Sequence, residues 1–178
     1  MPTRSHPLLV FFLIDTARAF TAPGGLGEAI VAPLSVRVRA GKFREPDIGF
    51  MLAQNVHRAG EKFWIGTNLV MEVVIHRKKS REREPEGKRS DYAEAGIAEY
   101  WIVDASECNV TLPKLRESEC GVHGTFATVD EATSVFPEGL SFDVADLFTV
   151  VDHRDCCRPS DPLTSECYRI LSSMAKRA

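Results

Sequence analysis

The sequence lacks a long hydrophobic run. Its longest, Leu8 to Ile14, falls far short of the about 20 residues that a membrane-spanning helix needs, so no such helix is expected. Cysteine is absent from the first 107 residues, and the five present are Cys108, Cys120, Cys156, Cys157 and Cys167. None forms a C-x-x-C pair and the number is odd. Neither a zinc knuckle nor a tidy disulfide framework is indicated, and reduced thiols in a cytoplasmic protein are the expected state. The five histidines, His6, His57, His76, His123 and His153, contain no H-x-x-x-H pair. No G-x-x-x-x-G-K-[ST], G-x-S-x-G or G-x-G-x-x-G phrase occurs, which leaves nucleotide-hydrolysing, serine-hydrolase and dinucleotide readings without support. An excess of positive charge is also missing: 22 Lys and Arg stand against 25 Asp and Glu, for a net −3. That excludes a bulk polycation, though not a local basic patch.

The remaining composition is that of a globular chain, 44% hydrophobic and 26% charged. A length of 178 residues buries enough surface to fold without disulfides or metals. The expected organisation is one domain over residues 1–148 and a tail over 149–178, where Cys156, Cys157, Pro159 and Pro162 break any periodic pattern.

The N-terminus invites two readings. Arg4 ahead of Leu8 to Ile14, with Ala17-Arg18-Ala19 behind, resembles a weak secretion signal. Asp15 and Arg18 interrupt that pattern. Leu9, Phe12, Leu13 and Thr16 instead fall at helical spacing, which predicts a helix covering one face of a sheet. Ala22-Pro23-Gly24-Gly25 then makes a turn. Glu28 to Val38 reads as one or two strands broken at Pro33, Gly41 to Arg44 as a reversal, and Pro46 to Leu52 as a strand. Ala53 to Glu61 reads as a short polar helix ending at Gly60. The run Leu69 to Ile75 is apolar on both faces, as a central buried strand is; Glu72 is its one exception. A helix from Pro85 through Tyr92 to Gly96 and a strand Tyr100 to Val103 follow. Shorter strands are expected near Val110 to Leu115 and Phe126 to Val129, with a last helix, Val144 to Phe148, capped by Asp143. This order predicts a mixed α/β sheet whose crossover helix joins two central strands.

Glu72 carries the chemistry of this pattern. A carboxylate in an apolar strand costs several kcal/mol unless it is paired or bound to metal. Asp47 becomes its neighbour if the two strands pair. Two carboxylates brought together repel or share a proton, and a divalent cation such as Mg²⁺ resolves the conflict. Lys88, on the helix after the Glu72 strand, is the natural third member, since a lysine there can stabilise charge on a phosphate. The blander alternative makes Asp47 a strand-edge residue, Glu72 the partner of an arginine, and Lys88 one more solvated lysine.

Several phrases together carry a family resemblance: Gly25-Leu26-Gly27-Glu28, Val31-Ala32-Pro33-Leu34, Arg44-Glu45-Pro46-Asp47-Ile48, Asn68 to Val74, Lys88 to Asp104, and Pro137-x-Gly139-Leu140-Ser141. In this order and spacing, the stretch from Gly25 to Phe148 resembles the Uma-two putative restriction endonucleases, a branch of the PD-(D/E)XK nuclease superfamily. The resemblance implies a restriction-endonuclease-like core, a Mg²⁺-dependent (or Mn²⁺-dependent) endonuclease acting on DNA, and a homodimer. It implies Asp47 and Glu72 as metal ligands and catalytic residues. Lys88 looks like a displaced substitute for the motif lysine that would otherwise fall at Val74, and Tyr92 lies one turn on, where it would help to position it. Two departures accompany the match. The chain starts after the family's Tyr-Glu-Leu-Ile-Asp-Gly-like phrase, and the loop after Glu72 reads Ile75-His76-Arg77-Lys78-Lys79 in place of Ser-Pro-Ser. The alternative function is accordingly a degenerate nuclease-fold module that binds or dimerises without cleaving.

Between Arg77 and Asp91, seven positive charges meet four negative ones. Arg77, Lys78, Lys79 and Arg81 lead this run, directly after the Glu72 strand, and are candidate contacts to a phosphate backbone; the alternative is a solvated loop. His76 is the histidine nearest this site in sequence.

Overall fold

In the computed structural model, residues 3–75, 84–113, 115 and 122–151 are described. The basic residues Arg77, Lys78, Lys79 and Arg81, together with His76 and the tail from 152 onward, lie outside these.

Helix α1, Ser5–Thr21, buries Leu9, Val10, Leu13, Ile14 and Ala17. Those residues recur at helical spacing and make one apolar stripe. Strands β1 (Gly27–Val31), β4 (Ile48–Leu52), β6 (Leu69–Val74), β7 (Glu99–Asp104), β8 (Asn109–Pro113) and β9 (Val122–Phe126) form a six-stranded mixed sheet in the order β1-β4-β6-β7-β8-β9. The β6 and β7 strands are parallel and the other pairs antiparallel. A parallel pair needs a crossover, and helix α2, Glu84–Glu94, supplies it. Gly96, at φ +68, ends that helix in the left-handed conformation that glycine adopts without strain.

Strand alternation divides the core. Ile48, Phe50, Leu69, Met71, Val73, Trp101 and Val103 pack beneath α1. On the other face, Val70, Tyr92, Ile97 and Tyr100 pack with Val38. Val38 belongs to a second sheet, β3-β2-β5, built from β2 (Ser35–Arg39), β3 (Lys42–Arg44) and β5 (Phe63–Ile65). Its inner side adds Val36 and Trp64 against Met51. A short ribbon of β10 (Glu131–Thr133) and β11 (Ser141–Asp143) leads into α3, Val144–Thr149. Asp143 caps α3 by accepting a hydrogen bond from the Ala145 amide at 2.8 Å.

Some expectations shift. Residues 53–58 form a 3-10 turn instead of a helix running to Glu61. The strand expected at Phe126 to Val129 lies earlier, at β9, because the Asp130 carboxylate accepts from the Ala127 amide at 2.7 Å and closes a turn there. Cys108, buried in the turn between β7 and β8, is disulfide-bonded, so the expectation of reduced thiols fails for it. Among the described residues, no helix is long and apolar enough to cross a membrane.

Candidate active site

The β6 strand places Leu69, Met71 and Val73 beneath α1, which turns Val70 and Glu72 towards α2. The Glu72 side chain is thereby carried into the interior and is 4% exposed. Strand β4 runs antiparallel beside it, with Ile48 opposite Met71 and Gly49 opposite Val70. Extending that register by one step sets Asp47 opposite Glu72. Asp47 Oδ2 accepts from the Val73 amide at 2.8 Å, and its own carbonyl accepts from the Ala32 amide at 3.0 Å. The carboxylate is therefore fixed from two strands.

Helix α2 brings the remaining groups. Lys88 and Tyr92 are four residues apart, on one face of the helix. Lys88 Nζ donates to Glu72 Oε2 at 2.9 Å, and the Tyr92 hydroxyl donates to Oε1 at 2.7 Å. Tyr92 is fully buried and meets Tyr100 edge-on at 5.1 Å between ring centroids. Asp91, the residue before it, is also buried. Its Oδ2 accepts from Arg44 Nε at 2.7 Å and from Arg44 Nη2, while its Oδ1 accepts from Lys42. That pairing ties α2 to β3 and so fixes the helix that carries Lys88 and Tyr92.

The sequence pattern brings together Asp47, Glu72, Lys88 and Tyr92, and the structure does place them together. It adds one group. His6, at the start of α1, sets Nε2 3.2 Å from Asp47 Oδ1. A lone histidine near a chain end carries no spacing signal, and His76, the nearest in sequence, lies outside the described residues. Asp91 was concealed as one more charge in a charged run, although its place between Lys88 and Tyr92 put it on the same helical turn.

The electrostatics follow from burial. Burial is the largest influence on Glu72 and raises its pKa; Lys88 and Tyr92 pull it down through their charge and hydrogen bonds, and Asp47 pushes it up again. The hydrogen bond to Asp47 raises His6 against the opposing effect of burial. Tyr92 is raised first by burial and then by the neighbouring Glu72 charge. Tyr100 is likewise raised by burial, then by Glu72 and Asp47. Glu99, a third buried acid, accepts from the Val135 and Phe136 amides at 2.8 and 2.9 Å and from the Trp101 indole. It pins the loop before β11 to β7, a structural role.

Among the described residues, no group of three or more His, Cys, Asp and Glu side chains is arranged to hold a metal. Asp47 and Glu72 offer hard carboxylate oxygens only. Two such ligands, with water in the other positions, fit Mg²⁺, which usually retains several waters.

The family model described as Uma2, putative restriction endonuclease, matches residues 1–145. No curated protein matches the chain. Among solved structures, the chain is similar to a putative nuclease belonging to DUF820 from Anabaena variabilis. The two are 18% identical, with 84% of this chain and 83% of that one covered, at a TM-score of 0.65. That likeness shows the fold.

Proposed function

On the premise that the chain belongs to the Uma2 family of putative restriction endonucleases, we propose that it is a Mg²⁺-dependent endonuclease that hydrolyses DNA phosphodiester bonds. One observation carries the reading above the others: a carboxylate buried in a central strand, set opposite a second carboxylate, with a lysine bonded to it. Setting a second carboxylate beside a buried one is costly, and a cation offsets that cost.

Asp47 and Glu72 would hold the cation through their carboxylate oxygens. When bound, Mg²⁺ would lower the pKa of a coordinated water and neutralise charge on the phosphate. The protein supplies orientation. The Val73 amide and His6 fix the two oxygens of Asp47, and Tyr92 fixes Oε1 of Glu72. Lys88 is 29% exposed, so its ammonium stands between the buried Oε2 and solvent. There it can donate a hydrogen bond to an attacking water or to a phosphate oxygen.

One feature favours the alternative of a non-cleaving module. Each of the four carboxylate oxygens already has a partner within the protein, and a satisfied network can persist for structural reasons. Plasmid incubation separates the readings. The nuclease reading expects nicking with Mg²⁺ or Mn²⁺ that is abolished by EDTA and by either Asp47→Ala or Glu72→Ala. Cleavage that survives both substitutions removes the site assignment, and folded wild-type protein that never cleaves favours the module.

A further inference from the structure

Away from the carboxylates, the outer face of β3-β2-β5 carries side chains that the proposed hydrolysis does not use. Alternation creates this face. Val36 and Val38 of β2 point into the core, so Arg37 and Arg39 point out. The register places Phe43 of β3 and Ile65 of β5 on either side of Arg37, with Phe63 one pair along. Phe43 is 46% and Ile65 43% exposed. The Phe43 and Phe63 rings meet edge-on at 5.2 Å between centroids, and the Arg37 guanidinium carbon lies 5.6 Å from the Phe63 centroid.

A cavity of about 310 Å³ opens beside these residues, within the range of small-ligand sites. Arg37, Arg39 and Arg58 line it, and among the described residues no acidic side chain does. Two of the three are held in place. Phe63 carries Arg37, and Arg58 Nε donates to the Ile65 carbonyl at 2.8 Å. Arg58 also occupies the space that a side chain at Gly66 would need: a Cβ there would sit 2.3 Å from Nη2. Among the described residues Arg39 pairs loosely, with Glu94 at 3.7 Å and both side chains more than half exposed.

Three guanidinium groups around one cavity repel each other until an anion lies among them. Their forked donors match phosphate oxygens. A free phosphate would engage the arginines alone, whereas the adjoining exposed Phe43 ring matches the face of a base. We propose that this face is a second binding site for a nucleic-acid strand, with the arginine-lined cavity taking a backbone phosphate and Phe43 stacking a base. The choice of nucleic acid over other polyanions rests on the nuclease reading. Ala95, at the end of α2, borders the cavity. Lys88 lies about 10 Å back along that helix, at 1.5 Å per residue, so a strand following α2 joins the two sites.

Fluorescence anisotropy with a labelled single-stranded oligonucleotide, in EDTA so that cleavage does not enter, tests the proposal. The triple variant Arg37→Ala/Arg39→Ala/Arg58→Ala should bind at least ~10-fold more weakly, with a salt dependence shallower by about 0.7, the value for one phosphate contact on a single strand. Phe43→Ala should weaken binding about 5-fold or more without changing that slope. Arg39→Ala, at an exposed position, guards against misfolding of the triple variant and should still lower the slope. Wild-type affinity and slope in the triple variant would overturn the proposal. So would binding of inorganic phosphate or a free nucleotide without binding of the oligonucleotide, or no binding by wild type. Intact binding in EDTA that is lost in the triple variant, joined to absence of Mg²⁺-dependent cleavage, supports this site while refuting the hydrolytic one.

Discussion

Tyr92→Phe removes one oxygen from the site and leaves the ring. The ring is fully buried against Tyr100, so its packing persists, and Lys88 keeps its bond to Glu72 Oε2. What goes is the 2.7 Å hydrogen bond to Oε1. A hydrogen bond to a charged partner contributes about 1.5–3 kcal/mol. In a protein of this size each kcal/mol moves the melting temperature by roughly 2–4 °C, so a loss near 2 kcal/mol predicts a fall of about 4–8 °C. The pH profile moves as well. The Tyr92 bond is one of the influences that lower the Glu72 pKa against the pull of burial. Its removal raises that pKa further, so ionised Glu72 appears at higher pH and the acid limb of DNA cleavage shifts upward. Thermal melts at neutral pH and a pH–rate profile measure both effects. A melting temperature within about 1 °C of wild type, with an unmoved acid limb, would refute the claim that the hydroxyl holds this carboxylate.

Other substitutions separate structural acids from functional ones. Glu99→Ala strands the Val135 and Phe136 amides and the Trp101 indole. The indole is the buried group of the three, and at about 1–3 kcal/mol for a buried unsatisfied group the change should cost about that much by chemical denaturation; a loss under about 1 kcal/mol contradicts the structural role. Asp91 feels burial pushing its pKa up, but Lys42 and Arg44 together outweigh this and hold it below the usual carboxylate range. The sign for a depressed acid is that its stabilisation is present above pH about 4 and is lost as pH falls further. Asp91→Asn should therefore be less stable than wild type at pH 7, with the gap closing below pH 4. A gap that is constant with pH removes the ion pairs from the explanation. His6→Ala frees one oxygen of Asp47 and should raise the Mg²⁺ concentration needed for half-maximal cleavage with little loss of stability, read from a metal titration; an unchanged requirement denies His6 a positioning role.

How much of this was legible in the sequence depended on whether a signal was local. Leu9, Phe12, Leu13 and Thr16 announced α1 through their spacing, and the apolar run around Glu72 announced β6. The order of strand, helix and strand pointed to Lys88 beside Glu72, and the family resemblance added Tyr92. Three-residue strands such as β5, β10 and β11 are too short for period-2 alternation to stand out, so they went unread. Contacts made across the chain left no local trace. His6 reaches Asp47 from 41 positions away, the difference between their residue numbers, and Lys42 and Arg44 reach Asp91 across 49 and 47. The basic outer face of β2 was hidden for the same reason: Arg58 and Phe63 join Arg37 only after β5 pairs with β2.

Glu72→Gln is the most direct probe of the central claim. The amide keeps the shape and an acceptor for Tyr92 or Lys88 but carries no charge. Because burial raises the Glu72 pKa, the ionised form costs stability as pH rises past the ordinary carboxylate value. The variant should therefore be no less stable than wild type at neutral pH. Its plasmid-nicking rate in saturating Mg²⁺ should nonetheless fall at least ~100-fold, the scale seen when a charge-stabilising group is lost. A folded Glu72→Gln protein that nicks within a few-fold of wild type would contradict the account.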